Sequence, residues 1–207
     1  MNYDLRKYKN ILWDFDGVIM DSMEIRDSGF LEIFKDFPNE QVEELMNFHR
    51  TNGGWSRYVK IEHFLKNIVK TECSKEIIAD YAAQFSSIML KLLVNPDFLI
   101  ADSLNYIKSN QHINYHIVSG SDGTELNHIC KELGLNTYFL TINGSPTAKI
   151  ELVSRIIKKY NYNIADTCLI GDSINDFEAA NENNIDFYGY NNPDLLENHK
   201  VIDSFQN

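Results

Sequence analysis

The spacing of apolar residues divides the chain into two kinds of sequence. Outside residues 22 to 94, short apolar runs alternate with amphipathic stretches whose apolar positions recur every three or four residues. The short runs predict buried strands and the amphipathic stretches predict helices, so together they predict a parallel sheet with helices on both faces. The predicted strands are 10–16, 115–119, 138–142, 167–170 and 185–188.

Between residues 22 and 94 the apolar spacing is helical throughout. It forms four successive stripes that are punctuated by Pro38 and by the pair Gly53-Gly54, and Ser74 is the predicted N-cap of the fourth helix. This block interrupts the connection between the first and second strands. We therefore predict the α/β class: a Rossmann-like parallel sheet domain made of residues 1–20 and 95–207, with a four-helix domain inserted at 21–94.

Composition narrows the range of partners and locations. The 207 residues suffice for one sizeable core and a smaller accessory domain. The formal net charge of −11 argues against nucleic acid and against an anionic membrane surface as partners. The chain begins without an apolar signal core, and no apolar run approaches the roughly 20 residues of a membrane span. Its three cysteines form no CxxC pair, so a reducing cytoplasm is the expected location.

Two carboxylates follow the first predicted strand. Asp14 and Asp16 are separated by one residue, and their mutual repulsion makes full ionisation favourable only beside a cation. Ligands of open parallel sheets bind outside the carboxyl ends of the strands, so this pair lies where chemistry is expected. Taken alone, the pair is equally consistent with a solvated acidic turn.

The second strand and a later helix supply groups that can bind an anion. Ser119 and Gly120 end the second predicted strand, where a hydroxyl and the free backbone N–H groups before a helix can hold phosphate. Lys149 is at the start of another predicted helix, where the helix dipole disfavours a positive charge. Simple N-capping by Ser121 or Asp122 and an ordinary solvated lysine explain these features if each is considered alone.

The third strand end adds two more acidic residues. Asp172 and Asp176 follow Gly171, and carboxylate oxygens of this kind suit Mg²⁺. A helix N-cap with an acidic residue in the first turn is the alternative for this segment alone. Together, the strand-end residues supply the nucleophile, acid–base group, phosphate donors and metal ligands that phosphoryl transfer requires.

The order and spacing of these residues resemble the four motifs of the haloacid dehalogenase superfamily. The motifs are Asp14-Phe15-Asp16-Gly17-Val18, Ser119, Lys149 and Gly171-Asp172-Ser173-Ile174-Asn175-Asp176. Asp21-Ser22 and Ser145-Pro146-Thr147 resemble the phosphoglycolate phosphatase and β-phosphoglucomutase branch, and the inserted helices resemble the helical cap of that branch. The resemblance spans almost the whole chain.

The resemblance implies a role for each motif residue. Asp14 is expected to attack phosphorus and form an aspartyl-phosphate, while Asp16 protonates the leaving oxygen and later deprotonates the hydrolytic water. Ser119, Gly120 and Lys149 are expected to bind the phosphoryl group. The expected Mg²⁺ ligands are Asp14, the backbone carbonyl of Asp16, Asp172 and Asp176.

The implied function is Mg²⁺-dependent hydrolysis of a small phosphorylated metabolite, such as a sugar phosphate, by a monomer or homodimer. A mutase of the β-phosphoglucomutase type shares the same four motifs and is one alternative. A non-catalytic phospho-acceptor module with a similar sheet is another, although Asp16 and the helical insertion argue against it.

The tip of the predicted cap, residues 50–57, supplies candidates for substrate specificity. Arg50, Asn52 and Arg57 could reach an anionic or hydroxyl-rich substrate, because the neighbouring glycines allow a tight turn. Both arginines are equally consistent with ordinary charges at helix ends.

Overall fold

The computed structural model describes residues 3–205, and its centre is a six-stranded parallel sheet. The strands are β1 (Asn10–Trp13), β2 (Asn114–Asp122), β3 (Thr141–Ser145), β4 (Thr167–Gly171), β5 (Asp186–Tyr190) and β6 (Val201–Ile202). Their spatial order is β3-β2-β1-β4-β5-β6, and each neighbouring pair is parallel. The predicted α/β class with a Rossmann-like sheet is confirmed. Because the strand order reverses between β1 and β4, a crevice is expected at their carboxyl ends.

Eight α-helices surround this sheet in the described residues. They are α1 (Met23–Ile33), α2 (Asn39–Thr51), α3 (Arg57–His63), α4 (Lys75–Leu92), α5 (Ala101–Ser109), α6 (Gly123–Glu132), α7 (Lys149–Tyr160) and α8 (Ile174–Glu182). The first four lie between β1 and β2 along the chain, and residues 23–92 are called the helical insertion below.

The side chains of the central strands alternate between two cores. Ile11 and Trp13 of β1 and Ile170 of β4 belong to a core that is shared with the helical insertion, α5 and α6. Leu12 and Leu169 point to the opposite face, where they pack with apolar residues of α7 and α8. All five side chains are fully buried. This alternation is expected for strands that are covered on both faces, since successive side chains of a strand point to opposite sides.

Aromatic rings fill the centre of the helical insertion. The ring centroids of Phe30 and Phe85 are 4.6 Å apart, and those of Phe34 and Phe64 are 4.2 Å apart. These contacts join α1 to α4 and to the π-helical turn Phe64–Val69 that continues α3. The four predicted helices are therefore present, while the domain boundaries at 20/21 and 94/95 stay predictions. None of the helices within residues 3–205 combines the length and the hydropathy of a membrane span.

One strand lies later in the sequence than predicted. The apolar run 138–142 predicts a strand, but β3 spans Thr141–Ser145. Phe139 is buried and Leu140 is 55% exposed, so these apolar residues belong to the approach to the strand. β3 lies at the edge of the sheet, where polar residues are tolerated, and its Asn143 side chain donates a hydrogen bond to the neighbouring strand.

Replacing Leu45 by Ala is expected to lower the free energy of unfolding by about 2–5 kcal/mol, because its fully buried side chain would leave a cavity among the inserted helices. Leu31→Ala is the matched control, since Leu31 belongs to the same insertion and is 46% exposed. Its expected cost is below about 1 kcal/mol. Urea unfolding followed by circular dichroism measures both, and equal losses would contradict the packing described here.

Candidate active site

Carboxylates that follow two central strands meet at the carboxyl edge of the sheet, and those of Asp14 and Asp176 are buried. Asp14 follows β1, and its backbone N–H donates to the carbonyl of Ile170 in β4 (2.9 Å), which extends the pairing of the two strands. Asp172 and Asp176 come from the segment after β4. One oxygen from each of these three carboxylates lies within 4.8 Å of the others. The structure thus brings together three acidic residues that were predicted from separate motifs.

Lys149 lies between two of these carboxylates. Its Nζ is 2.5 Å from Asp176 Oδ1 and 3.1 Å from Asp14 Oδ1, and the side chain is almost completely buried. Burial alone would lower the pKa of Lys149, but the negative charges of Asp14 and Asp176 raise it above its ordinary value. The ammonium is therefore held in its charged form at the centre of the site.

The acidic cluster carries more negative charge than one lysine can balance. Burial raises the pKa of Asp14 well above its ordinary value, and the charge of Asp176 raises it further. The same two causes, burial and then Asp176, raise the pKa of Asp172 to about 7. A divalent cation among these oxygens would offset the repulsion and favour the ionised carboxylates.

The donors and the space around them fit Mg²⁺, which prefers oxygen ligands. Asp176 is already oriented, because Oδ1 accepts from Lys149 and Oδ2 accepts from the N–H (3.1 Å) and hydroxyl (2.6 Å) of Ser173. Asp14 and Asp172 would therefore be the main carboxylate ligands. A Cβ at Gly17, whose φ is +74°, would lie 2.1 Å from Asp172 Oδ2, so only glycine leaves room for this carboxylate.

Asp16 is held apart from the acidic cluster by hydrogen-bond donors. Its Oδ1 accepts from Arg26 Nε (2.6 Å) and from the hydroxyl of Ser22, and its Oδ2 accepts from the hydroxyl of Ser121 (2.5 Å). Burial would raise the pKa of Asp16, but the Arg26 charge and the two hydroxyls lower it below its ordinary value. In the arrangement seen here Asp16 is therefore a carboxylate, the form that can accept a proton.

The predicted phosphate-binding residues lie at the end of β2. Ser119 is buried, and its Oγ accepts from the backbone N–H of Ser121 (3.1 Å). A Cβ at Gly120 would lie 2.3 Å from the carbonyl oxygen of Gly54, and one at Gly54 would lie 2.6 Å from Ser173 Oγ. The backbone of the helical insertion thus touches the sheet edge through glycines.

A buried charge cluster, which the sequence analysis did not predict, joins the insertion to the sheet domain. Glu125 of α6 accepts two hydrogen bonds from Arg57, at 2.6 and 2.8 Å, and one from Arg26 Nη1 at 3.0 Å. All three side chains are at least nine-tenths buried. Nothing in the local sequence distinguishes Glu125 from a dipole-complementing residue in the first turn of a helix.

A pocket lies between the carboxyl edge of the sheet and the inserted helices. Its walls come from both parts of the chain: Asp14, Asp16, Met23, Arg26, Phe30, His49, Gly53, Gly54, Trp55, Arg57, Lys60, Phe85, Ser119, Gly120, Ser121 and Asp172. The pocket offers about 30 Å³ to the centres of water molecules, whereas one water needs about 10–15 Å³. The space between the sheet edge and the insertion is therefore narrow, and movement of the insertion away from the sheet would enlarge it.

The three residues proposed for substrate specificity have different positions. Arg57 lines the pocket, but its guanidinium is occupied by Glu125. Arg50 is exposed and pairs with Asp27, and Asn52, which follows α2, donates to the carbonyl of Phe48 in that helix. Neither Arg50 nor Asn52 lines this pocket.

Known proteins resemble this chain over most of its length. The family model for haloacid dehalogenase-like hydrolases matches residues 11–190. Phosphoserine phosphatase from Methanocaldococcus jannaschii is 26% identical over 196 residues, which cover 83% of this chain and 80% of that protein.

Two solved structures of low sequence identity share the fold. CbbY from Rhodobacter sphaeroides, in complex with xylulose-1,5-bisphosphate, gives a TM-score of 0.77 at 16% identity and covers 96% of this chain and 95% of its own. β-Phosphoglucomutase from Clostridium difficile gives a TM-score of 0.74 at 20% identity, with 96% and 92% covered.

Gly17→Ala is expected to weaken Mg²⁺ binding by about tenfold or more, because the added methyl group collides with the Asp172 carboxylate. Gly134→Ala is the matched control: Gly134 has a similar positive φ of +69°, and a Cβ there would meet no atom within 4 Å. Both variants carry backbone strain, but only the first disturbs the site. Calorimetric titration with Mg²⁺ measures the difference, and equal affinities would contradict the role given to Gly17.

Glu125→Gln is expected to lower the free energy of unfolding by about 3–5 kcal/mol, because it leaves two buried arginines without their shared carboxylate. Glu151→Gln removes an exposed partner of Arg155 and should change stability little. Thermal and urea unfolding of both variants test this. A stable Glu125→Gln protein would show that the cluster does not hold the two parts together.

Proposed function

Because the chain belongs to the haloacid dehalogenase-like hydrolase family, we propose that it hydrolyses small phosphate monoesters with Asp14 as the nucleophile. One observation carries this proposal: Asp14, Lys149 and the two further acidic residues Asp172 and Asp176 share one buried site, and Asp16 borders the same pocket. This combination provides a nucleophile, a fixed cation and an acid–base group within reach of one bound phosphate.

The first step needs Asp14 oriented toward phosphorus. The backbone N–H of Phe15 (2.8 Å) and the Lys149 ammonium (3.1 Å) both contact Asp14 Oδ1, so the carboxylate has little rotational freedom. We propose that Asp14 attacks phosphorus, the bond to the leaving oxygen breaks, and the phosphoryl group is carried as an aspartyl-phosphate. Ser119, Gly120 and Lys149 would bind its other oxygens.

Asp14, Asp172 and the backbone carbonyl of Asp16 would hold Mg²⁺, with Asp176 orienting the site. When bound, the cation would neutralise the charge of the phosphoryl oxygens and align them for in-line attack. The net negative charge of the protein is then no obstacle to an anionic substrate, because the site itself is neutralised locally.

Asp16 would serve first as acid and then as base. Its contact with Arg26 favours the carboxylate, whereas a phosphate dianion brought next to it favours the protonated form. We propose that Asp16 donates its proton to the leaving oxygen and then accepts one from the water that hydrolyses the aspartyl-phosphate. The hydroxyls of Ser22 and Ser121 would keep its carboxyl group in place during both steps.

The helical insertion would act as a cap that opens for substrate and closes for chemistry. Its contacts with the sheet domain include buried polar ones: Arg26 and Arg57 on Glu125, and the Tyr58 hydroxyl on Asp122 (2.7 Å). Closure around the ester would exclude bulk water and so strengthen each charge interaction in the site.

Asp14→Asn is expected to abolish phosphate release, by more than about 10³-fold, because the amide is not a nucleophile. Asp80→Asn is the matched control, since Asp80 is exposed on the insertion. Release from a panel of sugar and glycolytic phosphates is measured with Mg²⁺ and with EDTA. Release that survives EDTA or the Asp14 substitution would contradict the mechanism.

The same panel separates the phosphatase from the mutase alternative. A mutase would pass the phosphoryl group to a second sugar hydroxyl and would need a bisphosphorylated activator. A phosphatase releases inorganic phosphate without one. Isomerised sugar phosphate in place of free phosphate would overturn the phosphatase proposal and leave the role of Asp14 intact.

A further inference from the structure

The segment that follows β5 lies beside both loops that carry the proposed metal ligands. In the sheet, β5 pairs with β4 and β4 pairs with β1. All three strands are parallel, so the loops that follow them lie at the same edge, where ligands of such sheets bind. Asn191 and Asn192 are the first two residues after β5. Neither belongs to the four motifs, and the proposed mechanism gives them no role.

Asn191 connects this segment to the loop after β1. Its Nδ2 donates a hydrogen bond to the carbonyl oxygen of Gly17 at 3.0 Å, although β4 lies between the two strands in the sheet. Gly17 has a positive φ of +74°, and glycine has more backbone freedom than any other residue. The Asn191 hydrogen bond restrains this glycine from outside its own loop. It therefore also restrains the preceding carbonyl of Asp16, which is a proposed Mg²⁺ ligand.

Asn192 connects the same segment to the loop after β4. Its Nδ2 donates to the main-chain carbonyl oxygen of Asp172 at 2.6 Å, and its Oδ1 accepts from the backbone N–H of Asp194 at 3.0 Å. Only one orientation of the amide gives a donor to the carbonyl and an acceptor to the N–H. The side chain of Asn192 is therefore fixed, and it holds the backbone from which the Asp172 carboxylate projects.

The local backbone allows two consecutive side chains to reach two different loops. Asn191 has a φ of +56°, a left-handed conformation that asparagine tolerates better than most residues. Asn192 is the N-cap of the short 3₁₀ turn Pro193–Leu195, and the ring of Pro193 restricts the chain directly after it. The sequence Asn-Asn-Pro-Asp thus fixes the direction of both amides.

The separation of the two ligand loops matters because they are in very close contact. A Cβ on Gly17 would lie 2.1 Å from Asp172 Oδ2, so the carboxylate rests almost on the glycine backbone. Mg²⁺ requires near-ideal octahedral geometry, and a small displacement of one ligand therefore weakens binding. The amides of Asn191 and Asn192 carry no charge. They can hold both loops without competing with the cation for the carboxylates.

We propose that Asn191 and Asn192 are positioning residues for the Mg²⁺ site, which hold the Gly17 and Asp172 loops at the separation that the cation needs. This inference rests on the proposed metal-dependent function and adds to it a support that comes from a third strand. The asparagine pair would touch neither the cation nor the substrate. Its removal would therefore lower the affinity for Mg²⁺ and leave the chemistry of the loaded site intact.

Asn192→Ala is expected to weaken Mg²⁺ binding by about tenfold or more, the effect typical of losing a group that orients a metal ligand. Asn95→Ala is the matched control. Asn95 is the N-cap of the 3₁₀ turn Pro96–Phe98, lies in the same Asn-Pro-Asp sequence, and accepts from the backbone N–H of Asp97 at the same 3.0 Å. The control loses an equivalent cap without disturbing Asp172. Calorimetric titration with Mg²⁺ measures both affinities.

Asn191→Gly tests the second contact, because glycine keeps the left-handed backbone and removes the amide. The expected loss of Mg²⁺ affinity is again about tenfold. Asn184→Gly is its matched control, since Asn184 has a φ of +55° and is exposed like Asn191. A further variant, Asn192→Ser, keeps an oxygen that can cap the 3₁₀ turn but lacks the amide donor. It should lose as much affinity as Asn192→Ala, and it decides the role of Asn192 if the alanine variant fails to fold.

Enzyme kinetics separate positioning from a merely structural role. In Asn191→Gly and Asn192→Ala, the Mg²⁺ concentration that gives half-maximal phosphate release is expected to rise by about tenfold. At saturating Mg²⁺, kcat is expected to return to within about twofold of wild type, because the loaded site keeps all its reacting groups. A variant damaged in its fold would not recover in this way.

The outcomes distinguish this inference from the function on which it rests. Equal Mg²⁺ affinities in the asparagine variants and their controls would overturn the positioning role, and so would a kcat that stays low at saturating Mg²⁺. Wild-type protein that binds no Mg²⁺ would overturn it together with the metal-dependent function. If wild-type protein binds Mg²⁺ but releases phosphate from no ester, only the phosphatase fails. Calorimetry of the two variants and their two controls then decides the role of the asparagines.

Discussion

The buried ion pairs of Lys149 with Asp14 and Asp176 are the interaction on which the rest of the active site depends. Carboxylates can be buried only if their charge is compensated, since an unpaired buried charge costs several kcal/mol. The parallel sheet brings Asp14 and Asp172 to one edge from adjacent strands, and Lys149 arrives from the helix after β3. Fold and chemistry are therefore coupled, because the arrangement that places the proposed nucleophile Asp14 also creates the charge imbalance that a divalent cation would offset.

Buried charges are also compensated at the boundary between the helical insertion and the sheet domain, but there the lone compensating group is a carboxylate and the compensated groups are cations. There the excess charge is positive, and the Glu125 carboxylate balances Arg26 and Arg57. Arg26 belongs to both systems, because it contacts Glu125 and also the acid–base candidate Asp16. Any movement of the insertion thus changes the environment of Asp16. The position of the helices and the protonation of that carboxyl group are linked through one side chain.

Most of the fold and the motif residues could be predicted because they follow from one regularity. Strands of a parallel sheet end at the same edge, so Asp14, Ser119 and Asp172 had to approach one another once the strands were recognised. Glu125 was not predicted, because its partners are 68 and 99 residues away along the chain and a helix-terminal glutamate gives no signal of them. The position of β3 was predicted wrongly, because an edge strand does not need apolar residues. Neither α5 nor β6 was predicted.

The glycine contacts between the insertion and the sheet edge set how far the two parts can approach. The Gly120 Cα faces the Gly54 carbonyl so closely that a single methyl group would not fit between them. Two backbones in direct contact cannot approach further, whereas two side chains in contact could still rearrange. Main-chain atoms therefore limit how closely the insertion can approach the sheet. Side-chain substitutions elsewhere in the pocket walls can alter which molecules fit, but they do not change this limiting distance.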